Sequence, residues 1–300
     1  MEVKRLKKLL RKYQIRPSKR LGQNFLIDKE VVRKIIEAAE LKPEDIVLEI
    51  GPGIGALTIE LAKRVKRVIT IEKDLKMIEV LRETLKDFGN IEIIQGDILK
   101  LKFQIANSKI QIPKIYKIVA NLPYYIVSPV IHQFLENTQV RPVSMVLMVQ
   151  KEVGQRICAK PPEMSILAVS VQFYAQPEII SYVSKKSFWP QPKVDSAIIK
   201  ITPKNFAEVR PLSILHRSDL CQLFFKIVRA GFSQPRKQLI NNLSRLNFSS
   251  KNLRGQAKNP KLNRERVKSW LLKNNIQPTQ RAETLTIEDW ISLTESCRIE

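Results

Sequence analysis

The sequence predicts a doubly wound, mainly parallel α/β domain followed by a small all-α domain. Three observations support this fold class. Apolar strand patterns alternate with amphipathic helix patterns from about residue 28 to 150, and a glycine-rich turn joins the first of these strands to a helix. Beyond about residue 218 the periodic segments have helical spacing. Alternation of strands and helices is typical of a parallel sheet that is covered by helices on both faces.

The first predicted helix of the α/β domain covers residues 29–41, with Asp28 as its N-cap. Another helix covers 74–88. The predicted strands cover 46–50, 67–72, 91–95, 117–121 and 143–150, and the segments 170–183 and 196–201 are expected to add further strands. Helices are expected later at 219–230, 236–246, 264–274 and 287–295, with Thr286 as the N-cap of the last.

Three hundred residues suffice for about two domains. The predicted division is a basic N-terminal extension over 1–20, a ligand-binding α/β domain over 21–202, a linker over 203–218 and a helical domain over 219–300. Pro203 and Pro211 interrupt the linker.

The chain is strongly basic, with 52 Lys and Arg against 29 Asp and Glu and a formal net charge of +23. Such a surplus favours a polyanionic partner, nucleic acid before an anionic membrane. A basic protein with no such partner remains an alternative. Eight basic residues lie between Lys251 and Lys273, which predicts a nucleic-acid-binding surface in the helical domain.

Several classes of protein are disfavoured by composition. The three cysteines match neither disulfide nor zinc spacing and there are only two histidines, so we expect no metal site. No apolar run has membrane length. The first twenty residues resemble an organellar transit peptide in charge, but the next motif begins at Gly22. We therefore expect a cytoplasmic monomer that does not contact a membrane.

The segment LEIGPGIGA places Gly51, Gly53 and Gly55 between a strand and a helix. Glycines allow a tight turn and a close approach of the backbone to a ligand at the helix N-terminus. Glu72 ends the next strand, where it can accept hydrogen bonds from ribose hydroxyls. The pattern indicates an adenosine-containing cofactor, although a nicotinamide dinucleotide and a purely structural turn remain open.

Two further strands end in polar residues. Asp97 follows the third strand, where its carboxylate can accept from an adenine amino group, and Asn121 ends the fourth. Taken alone, Asp97 could also be a solvated turn residue. Ligands of such sheets bind at the carboxyl ends of the strands. We therefore expect residues 49–55, Glu72, Asp97 and Asn121 to line one crevice.

The segment NLPYY, residues 121–125, predicts an adenine-binding clamp. The exocyclic amine of adenine is a weak nucleophile because its lone pair is delocalised into the ring. Two hydrogen-bond acceptors would favour a pyramidal amine. Asn121 offers its side-chain carbonyl, and Pro123 stiffens the turn so that the main-chain carbonyl of Leu122 is the second acceptor. Tyr124 offers a ring face on which an extruded base can stack.

These segments together resemble the S-adenosylmethionine-dependent rRNA adenine dimethyltransferases. The resemblance rests on KRLGQNFLID (19–28), LEIGPGIGALT, IEKD, GDIL, NLPYY and FWPQPKVDSAIIKI (188–201). It covers residues 17–201 strongly and the helical tail more loosely. GQNFL, NLPYYIVSP and PKVDSA resemble the small-subunit 16S rRNA branch more than the macrolide-resistance branch, which acts on the large subunit.

The resemblance implies a Rossmann-like class I methyltransferase sheet with S-adenosylmethionine as cofactor. Asn24 and Leu26 would cover the methionine end of the cofactor, and the glycine loop would contact it through the backbone. Glu72 would hold the ribose. The implied cofactor-binding residues are Asn24, Leu26, Gly51, Gly53, Glu72, Asp97 and Asn121.

The resemblance also implies which residues take part in catalysis. Asn121 would lie beside the transferable methyl group. Phe188 would form the second face of a base sandwich opposite Tyr124, with an ordinary core phenylalanine as the alternative. The implied catalytic residues are Asn121, Leu122, Pro123, Tyr124 and Phe188.

The implied function is dimethylation of two adjacent adenosines in the 3′-terminal hairpin loop of 16S rRNA, with that RNA or the assembling small subunit as partner. The alternatives are a 23S rRNA methyltransferase, a non-catalytic nucleic-acid-binding assembly or transcription factor, and a nicotinamide-dependent oxidoreductase. The last would leave NLPYY and the positive charge unexplained. Two segments depart from the family pattern: Pro235 replaces a basic residue, and 160–172 lacks a glycine–aromatic segment.

Overall fold

The computed structural model describes residues 3–18, 21–101, 113–136, 141–204, 218–246, 250–251, 257–258 and 263–297. Its contacts divide the chain into two compact units. The first comprises Met1–Gln155 and Tyr174–Pro203, and the second comprises Arg156–Phe173 and Lys204–Glu300. Most of the predicted linker, 205–217, lies outside the described residues.

The helices and strands follow one another in a largely alternating order. In chain order they are α1 (Val3–Lys12), β1 (Phe25–Leu26), α2 (Lys29–Ala38), β2 (Ile46–Ile50), α3 (Ala56–Ala62), β3 (Arg67–Glu72), α4 (Leu75–Thr84), β4 (Ile91–Gln95), β5 (Lys117–Asn121), α5 (Val127–Glu136), β6 (Ser144–Gln150), α6 (Lys151–Ile157), α7 (Ile166–Tyr174), β7 (Ala175–Val183), β8 (Phe188–Trp189), β9 (Ser196–Pro203), α8 (Ser218–Gly231), α9 (Leu239–Leu243), β10 (Ser250–Lys251), β11 (Ala257–Lys258), α10 (Arg264–Lys273) and α11 (Ile287–Ser296).

The first unit contains a seven-stranded sheet in the order β4-β3-β2-β5-β6-β9-β7. The pairs from β4 to β6 are parallel, and β9 and β7 are antiparallel additions. The predicted doubly wound α/β fold is confirmed. The chain runs outward from β2 to β4 and then returns to β5 on the other side of β2. A crevice opens at such a switch point, at the carboxyl ends of the strands.

Helices cover both faces of the sheet, and its central strands are correspondingly apolar. One core cluster joins Val47, Val68 and Val119 of the central strands to Ile35 of α2 and Leu61 of α3. Strands that are buried on both faces are near-continuous apolar runs, and IVLEI and KIVAN fit this pattern apart from Glu49, a Lys at one end and the final Asn121. The polar groups at the carboxyl ends are therefore held by a rigid base.

Both predicted N-caps are confirmed. The side chain of Asp28 accepts from the backbone N–H of Glu30 at 3.0 Å. Thr286 and Asp289 form a reciprocal capping box at the start of α11. Both helices begin where a short polar side chain replaces a missing intrahelical bond.

The predicted strand over 170–183 is wrong over its first five residues, 170–174. Residues 166–174 form α7, and β7 begins only at Ala175. Ser165 directly precedes the helix, and its Oγ accepts from the N–H of Ala168. Phe173 stacks on Phe224 with ring centroids 4.2 Å apart. Short apolar runs fit a buried helix and a buried strand equally well, so contacts distant in sequence decide between them.

The second unit is mainly helical, with α7 to α11 and the two-residue pair β10–β11. Trp290 is fully buried and lies beside Phe232, with ring centroids 5.7 Å apart. A Cβ at Gly231 would come within 2.4 Å of Trp290. The stacking of Phe173 on Phe224 places 156–173 in this unit, in addition to the predicted range 219–300. The predicted helix over 236–246 is shorter than expected, Leu239–Leu243.

No helix in the described ranges is long and apolar enough to cross a membrane. The described residues also contain no group of three or more His, Cys, Asp and Glu side chains that could hold a metal ion.

Candidate active site

A crevice of about 1100 Å³, including its open mouth, lies at the carboxyl ends of β2, β3, β4 and β5. The structure brings all of the predicted site residues together in its lining. They are Asn24, Leu26, Gly51, Gly53, Glu72, Asp97, Asn121, Leu122, Pro123, Tyr124 and Phe188. They come from six separate segments of the chain, and the parallel register of the central strands places four of these segments side by side. The roles of the individual residues remain predictions.

The glycine loop forms the floor of the crevice between β2 and α3. Gly51, Gly53 and Gly55 have φ values of +68°, +57° and +84°, which a residue with a side chain rarely adopts. A Cβ at Gly53 would lie 3.3 Å from the ring of Phe25, and one at Gly51 would lie 3.4 Å from Pro123. The loop therefore exposes backbone to the crevice without any side chain in between.

Glu72 is fixed at the end of β3 by main-chain donors. Its Oε1 accepts from the N–H groups of Lys73 at 2.8 Å and Asp74 at 2.9 Å. The side chain is 8% exposed, and burial raises its pKa while the backbone hydrogen bonds oppose that rise. These contacts hold the carboxylate in one position before any ligand is bound.

Asp97 stands at the end of β4 and interacts with a cation. Its Oδ2 accepts from Lys73 Nζ at 2.9 Å, and its Oδ1 accepts from the N–H of Leu99 at 3.1 Å. The hydrogen bond from Lys73 is the largest influence and lowers the pKa of Asp97. The carboxylate therefore remains charged at neutral pH. Of the two interpretations, a crevice residue and a solvated turn acid, the geometry favours the first.

Glu49 is a crevice residue to which the sequence assigned no role of its own. It is 1% exposed, and burial raises its pKa to about 8. Its Oε2 has no hydrogen-bond partner among the described residues. Burial therefore favours the protonated form of this carboxyl group. The signal in the sequence was an acid inside the apolar strand IVLEI, directly before the glycine loop.

Asn121 projects into the crevice from the end of β5. Its Nδ2 donates to the main-chain carbonyl of Asn24 at 3.5 Å, and the Nδ2 of Asn24 in turn donates to the carbonyl of Gly22 at 3.2 Å. This contact engages the amide nitrogen of Asn121 and thereby sets the orientation of the amide group. Its carbonyl oxygen is thereby left as the acceptor for a ligand.

The aromatic residues of the clamp differ in how they are held. The hydroxyl of Tyr124 lies 2.8 Å from Ser196 Oγ, and burial raises the pKa of this half-buried phenol. Tyr125 is 54% exposed. Pro123 precedes a 3₁₀ turn over Tyr124–Ile126 and accepts a hydrogen bond from the N–H of Ile126 at 3.1 Å. Tyr124 is thus a fixed ring at the wall of the crevice.

Phe188 lies both in the core and at the crevice, so its position fits a core phenylalanine as well as a face of the base sandwich. It pairs with Leu26 across the two-stranded sheet β1–β8, is 3% exposed and belongs to the main core cluster. It also lines the crevice. Ser187 Oγ, next to it, lies 2.9 Å from Asp28 Oδ2, which ties β8 to the start of α2. The ring is therefore a rigid wall of the crevice.

A family model described as ribosomal RNA adenine dimethylase matches residues 15–297. The chain belongs to this family. The match includes the crevice and most of the second unit, so membership covers both parts of the chain. It supports methyltransferase activity on rRNA and does not support the nicotinamide-dependent oxidoreductase.

Relatives and solved structures agree with this assignment. The chain is 42% identical to ribosomal RNA small subunit methyltransferase A of Dehalococcoides mccartyi strain CBDB1, over 96% of this chain and 90% of that protein. It is 40% identical to the protein of the same name from Bacillus cereus strain B4264, over 97% and 95%.

Two solved structures have a fold similar to that of this chain. The 23S rRNA methyltransferase ErmE has a TM-score of 0.68 and 27% identity, over 91% of this chain and 99% of that one. A dimethyladenosine transferase from Plasmodium falciparum has a TM-score of 0.69 and 29% identity, over 90% and 95%. The identities to the small-subunit relatives are higher than the identity to the 23S enzyme.

Proposed function

We propose that this chain is a 16S rRNA adenine N6,N6-dimethyltransferase that uses S-adenosylmethionine in the biogenesis of the small ribosomal subunit. Its target would be two adjacent adenosines in the 3′-terminal hairpin loop. The observation that carries the proposal is the convergence of Asn121 and Tyr124 with the glycine loop, Glu72 and Asp97 in one crevice. The names of the small-subunit relatives favour 16S over 23S rRNA.

The crevice suits an adenosine-bearing cofactor. The carboxylate of Glu72, held by the backbone N–H of Lys73, would accept from ribose hydroxyls, and that of Asp97 would accept from the adenine amino group. Gly51 and Gly53 expose backbone at the N-terminus of α3, where polar groups of a ligand are favoured. Asn24 and Leu26 would cover the methionine end. When bound, S-adenosylmethionine supplies a methyl group activated by the neighbouring sulfonium.

Asn121 and Leu122 would activate the target amine. The side-chain carbonyl of Asn121 and the main-chain carbonyl of Leu122 accept from the two N–H groups of the adenine amine. This makes the nitrogen more pyramidal and its lone pair available. No histidine is needed as a base, because the proton can leave to water after transfer. Positioning of the amine supplies most of the rate enhancement.

Tyr124 and Phe188 would hold the extruded base between them. Stacking of a base on an aromatic side chain contributes about 1–3 kcal/mol. The hydrogen bond between Tyr124 and Ser196 fixes one ring, and packing in the core fixes the other. A base held in this way presents its amine to Asn121 in a single orientation.

The second unit would bind RNA through phosphate contacts. Arg264 and Lys268 are exposed on α10. Lys261 of the same basic segment lies outside the described residues. Phosphate contacts position a nucleic acid without reading its sequence. The second unit would therefore contribute affinity, and the crevice would select the base.

Methyl transfer to 16S rRNA tests this proposal. The purified chain is incubated with labelled S-adenosylmethionine and with small-subunit particles or 16S rRNA that lack the modification, and the nucleosides are then analysed by mass spectrometry. We expect dimethyladenosine at two adjacent positions, and far less of it with Asn121→Ala after the same incubation time. Modification of 23S rRNA alone would favour the alternative target. The absence of transfer to any RNA would favour the non-catalytic alternative.

A further inference from the structure

Helix α1 carries a strongly cationic surface that the proposed methyl transfer does not use. Six of its ten residues are Lys or Arg and none is acidic. All six are exposed, whereas Leu6 and Leu10 are buried. The helix thus has one apolar stripe and is basic around the rest of its circumference.

The apolar stripe fixes α1 beside the crevice. Leu6 and Leu10 belong to one hydrophobic cluster with Phe25, Ile54 and Met77. The last three residues also line the crevice. One layer of side chains therefore joins the helix to the wall of the crevice.

Two of the six cations also hold α1 in place. Lys7 Nζ lies 5.5 Å from the centre of the Trp189 ring, which neighbours Phe188 in β8. Lys12 Nζ lies 2.6 Å from Glu83 of α4. The other four form no ion pair with an acid in the part of the chain that the structure describes: Lys4, Arg5, Lys8 and Arg11.

This charge pattern opposes the stability of an isolated helix. Like charges four residues apart, such as those of Lys4 and Lys8, destabilise a helix. Lys4 and Arg5 also lie in the first turn, at the positive end of the helix dipole, where a cation is unfavourable. A surface helix with mixed charges avoids these costs. A polyanion bound at this surface would offset them.

The buried stripe distinguishes between two kinds of polyanionic partner. An amphipathic helix that binds a membrane inserts its apolar face among the lipids. In α1 that face is already covered by protein, because Leu6 is 0% and Leu10 3% exposed. The phosphates of an RNA strand need only exposed cations. The geometry therefore favours RNA.

We propose that α1 is an RNA-binding surface of its own, which contacts the phosphates of the strand leading to the target adenine. This inference rests on the proposed function, since it needs an RNA substrate in the adjacent crevice. The helix adds affinity and positions the strand, and it leaves the choice of base to the crevice.

Neutralising the four unpaired cations tests the proposal. The variant Lys4→Gln/Arg5→Gln/Lys8→Gln/Arg11→Gln is compared with a matched control that neutralises four exposed lysines outside α1 and the crevice: Lys42, Lys66, Lys86 and Lys114. The affinity for a 16S rRNA hairpin is measured across a salt series. At each salt concentration the cofactor affinity and the transfer rate at saturating RNA are measured as well.

We expect the slope of log affinity against log salt to fall by about 2 to 3 in the α1 variant, and the RNA Kd to rise about ten- to hundredfold at low salt. Cofactor affinity and the saturated transfer rate should stay at wild-type values. An unchanged slope, or the same change in the control variant, would overturn the proposal. Loss of cofactor affinity in step with RNA affinity would also overturn it, because α1 would then act by packing alone.

The outcome is separable from that of the proposed function, because RNA binding is measured whether or not methyl transfer occurs. Sedimentation with phosphatidylglycerol vesicles supplies the membrane arm of the test. We expect no sedimentation of the wild-type chain at moderate salt. The proposal would be overturned in favour of a membrane partner by two results together. The wild-type chain would sediment with the vesicles and the α1 variant would not, and the variant would bind RNA with wild-type affinity.

Discussion

The two sides of the crevice are built differently. On the side of β3 and β4, Glu72 and Asp97 are held by main-chain N–H groups and by Lys73, at 2.8–3.1 Å. At the end of β5, Asn121 is held by one long contact of 3.5 Å, and the neighbouring Tyr125 is 54% exposed. The first side is a socket formed in advance. The second side leaves an amide carbonyl and aromatic faces for groups that a substrate must bring.

On this basis we propose a division of labour, with cofactor affinity on the acidic side and activation of the amine at β5. Variants on the two sides should then have separable effects on cofactor binding and on methyl transfer.

The largest effect is expected for Asn121→Ala. Removal of one acceptor of the reacting amine should lower the single-turnover transfer rate about a hundred- to thousandfold, the loss typical of one preorganised polar group in an active site. Quenched-flow measurement at saturating cofactor and RNA checks this. Asn121→Asp, which keeps an acceptor oxygen, should retain more activity than the alanine variant. Substantial transfer by Asn121→Ala would refute the clamp.

Glu72→Ala should weaken cofactor binding about ten- to hundredfold, because hydrogen bonds to a charged group contribute about 1.5–3 kcal/mol. Isothermal titration calorimetry without RNA gives the Kd. Glu92→Ala is the matched control, since Glu92 lies on β4 and pairs with Arg67 away from the crevice. If both variants bind the cofactor equally well, Glu72 has been given the wrong role.

A smaller effect is expected for Tyr124→Phe, which keeps the ring and removes the hydrogen bond to Ser196. Loss of about 1 kcal/mol of positioning should lower kcat/KM for RNA about fivefold. Ser196→Ala should have the same effect, and the double variant should be no worse than either single variant. Additive losses in kcat/KM would show that the two hydroxyls act independently.

The smallest effect is a change in pH dependence on Lys73→Met. Lys73 lowers the pKa of Asp97, so in the wild type the carboxylate stays charged until the pH falls below the usual range of an aspartate. Without Lys73 the pKa rises, and protonation on acidification begins at a higher pH. Cofactor Kd measured from pH 7 downward should therefore weaken earlier in the variant. If the cofactor Kd depends on pH in the same way in the wild type and the variant, Asp97 does not take part in cofactor binding.

The position of the crevice could be predicted from the sequence because it depends on strand ends. Buried strands are visible as apolar runs, and parallel strands bring their last residues to one edge of the sheet, so Glu72, Asp97 and Asn121 had to lie near one another. Each of these residues needs only its own strand to be assigned correctly.

Other features depend on contacts distant in sequence. The helix over 166–174 is fixed by Phe173 stacking on Phe224, which no local pattern reveals. The residues 1–20 were expected to be an extension, yet α1 packs into the first unit through Leu6 and Leu10. The raised pKa of Glu49 follows from complete burial, which depends on the whole sheet.

The division of labour in the crevice is tested most directly by a calorimetric titration of the cofactor into Asn121→Ala. We predict a Kd within about threefold of the wild-type value, because the variant loses at most an ordinary neutral hydrogen bond to the cofactor. A loss of affinity as large as that of Glu72→Ala would contradict the account, since Asn121 would then be a main cofactor anchor and the two sides of the crevice would not have separate functions.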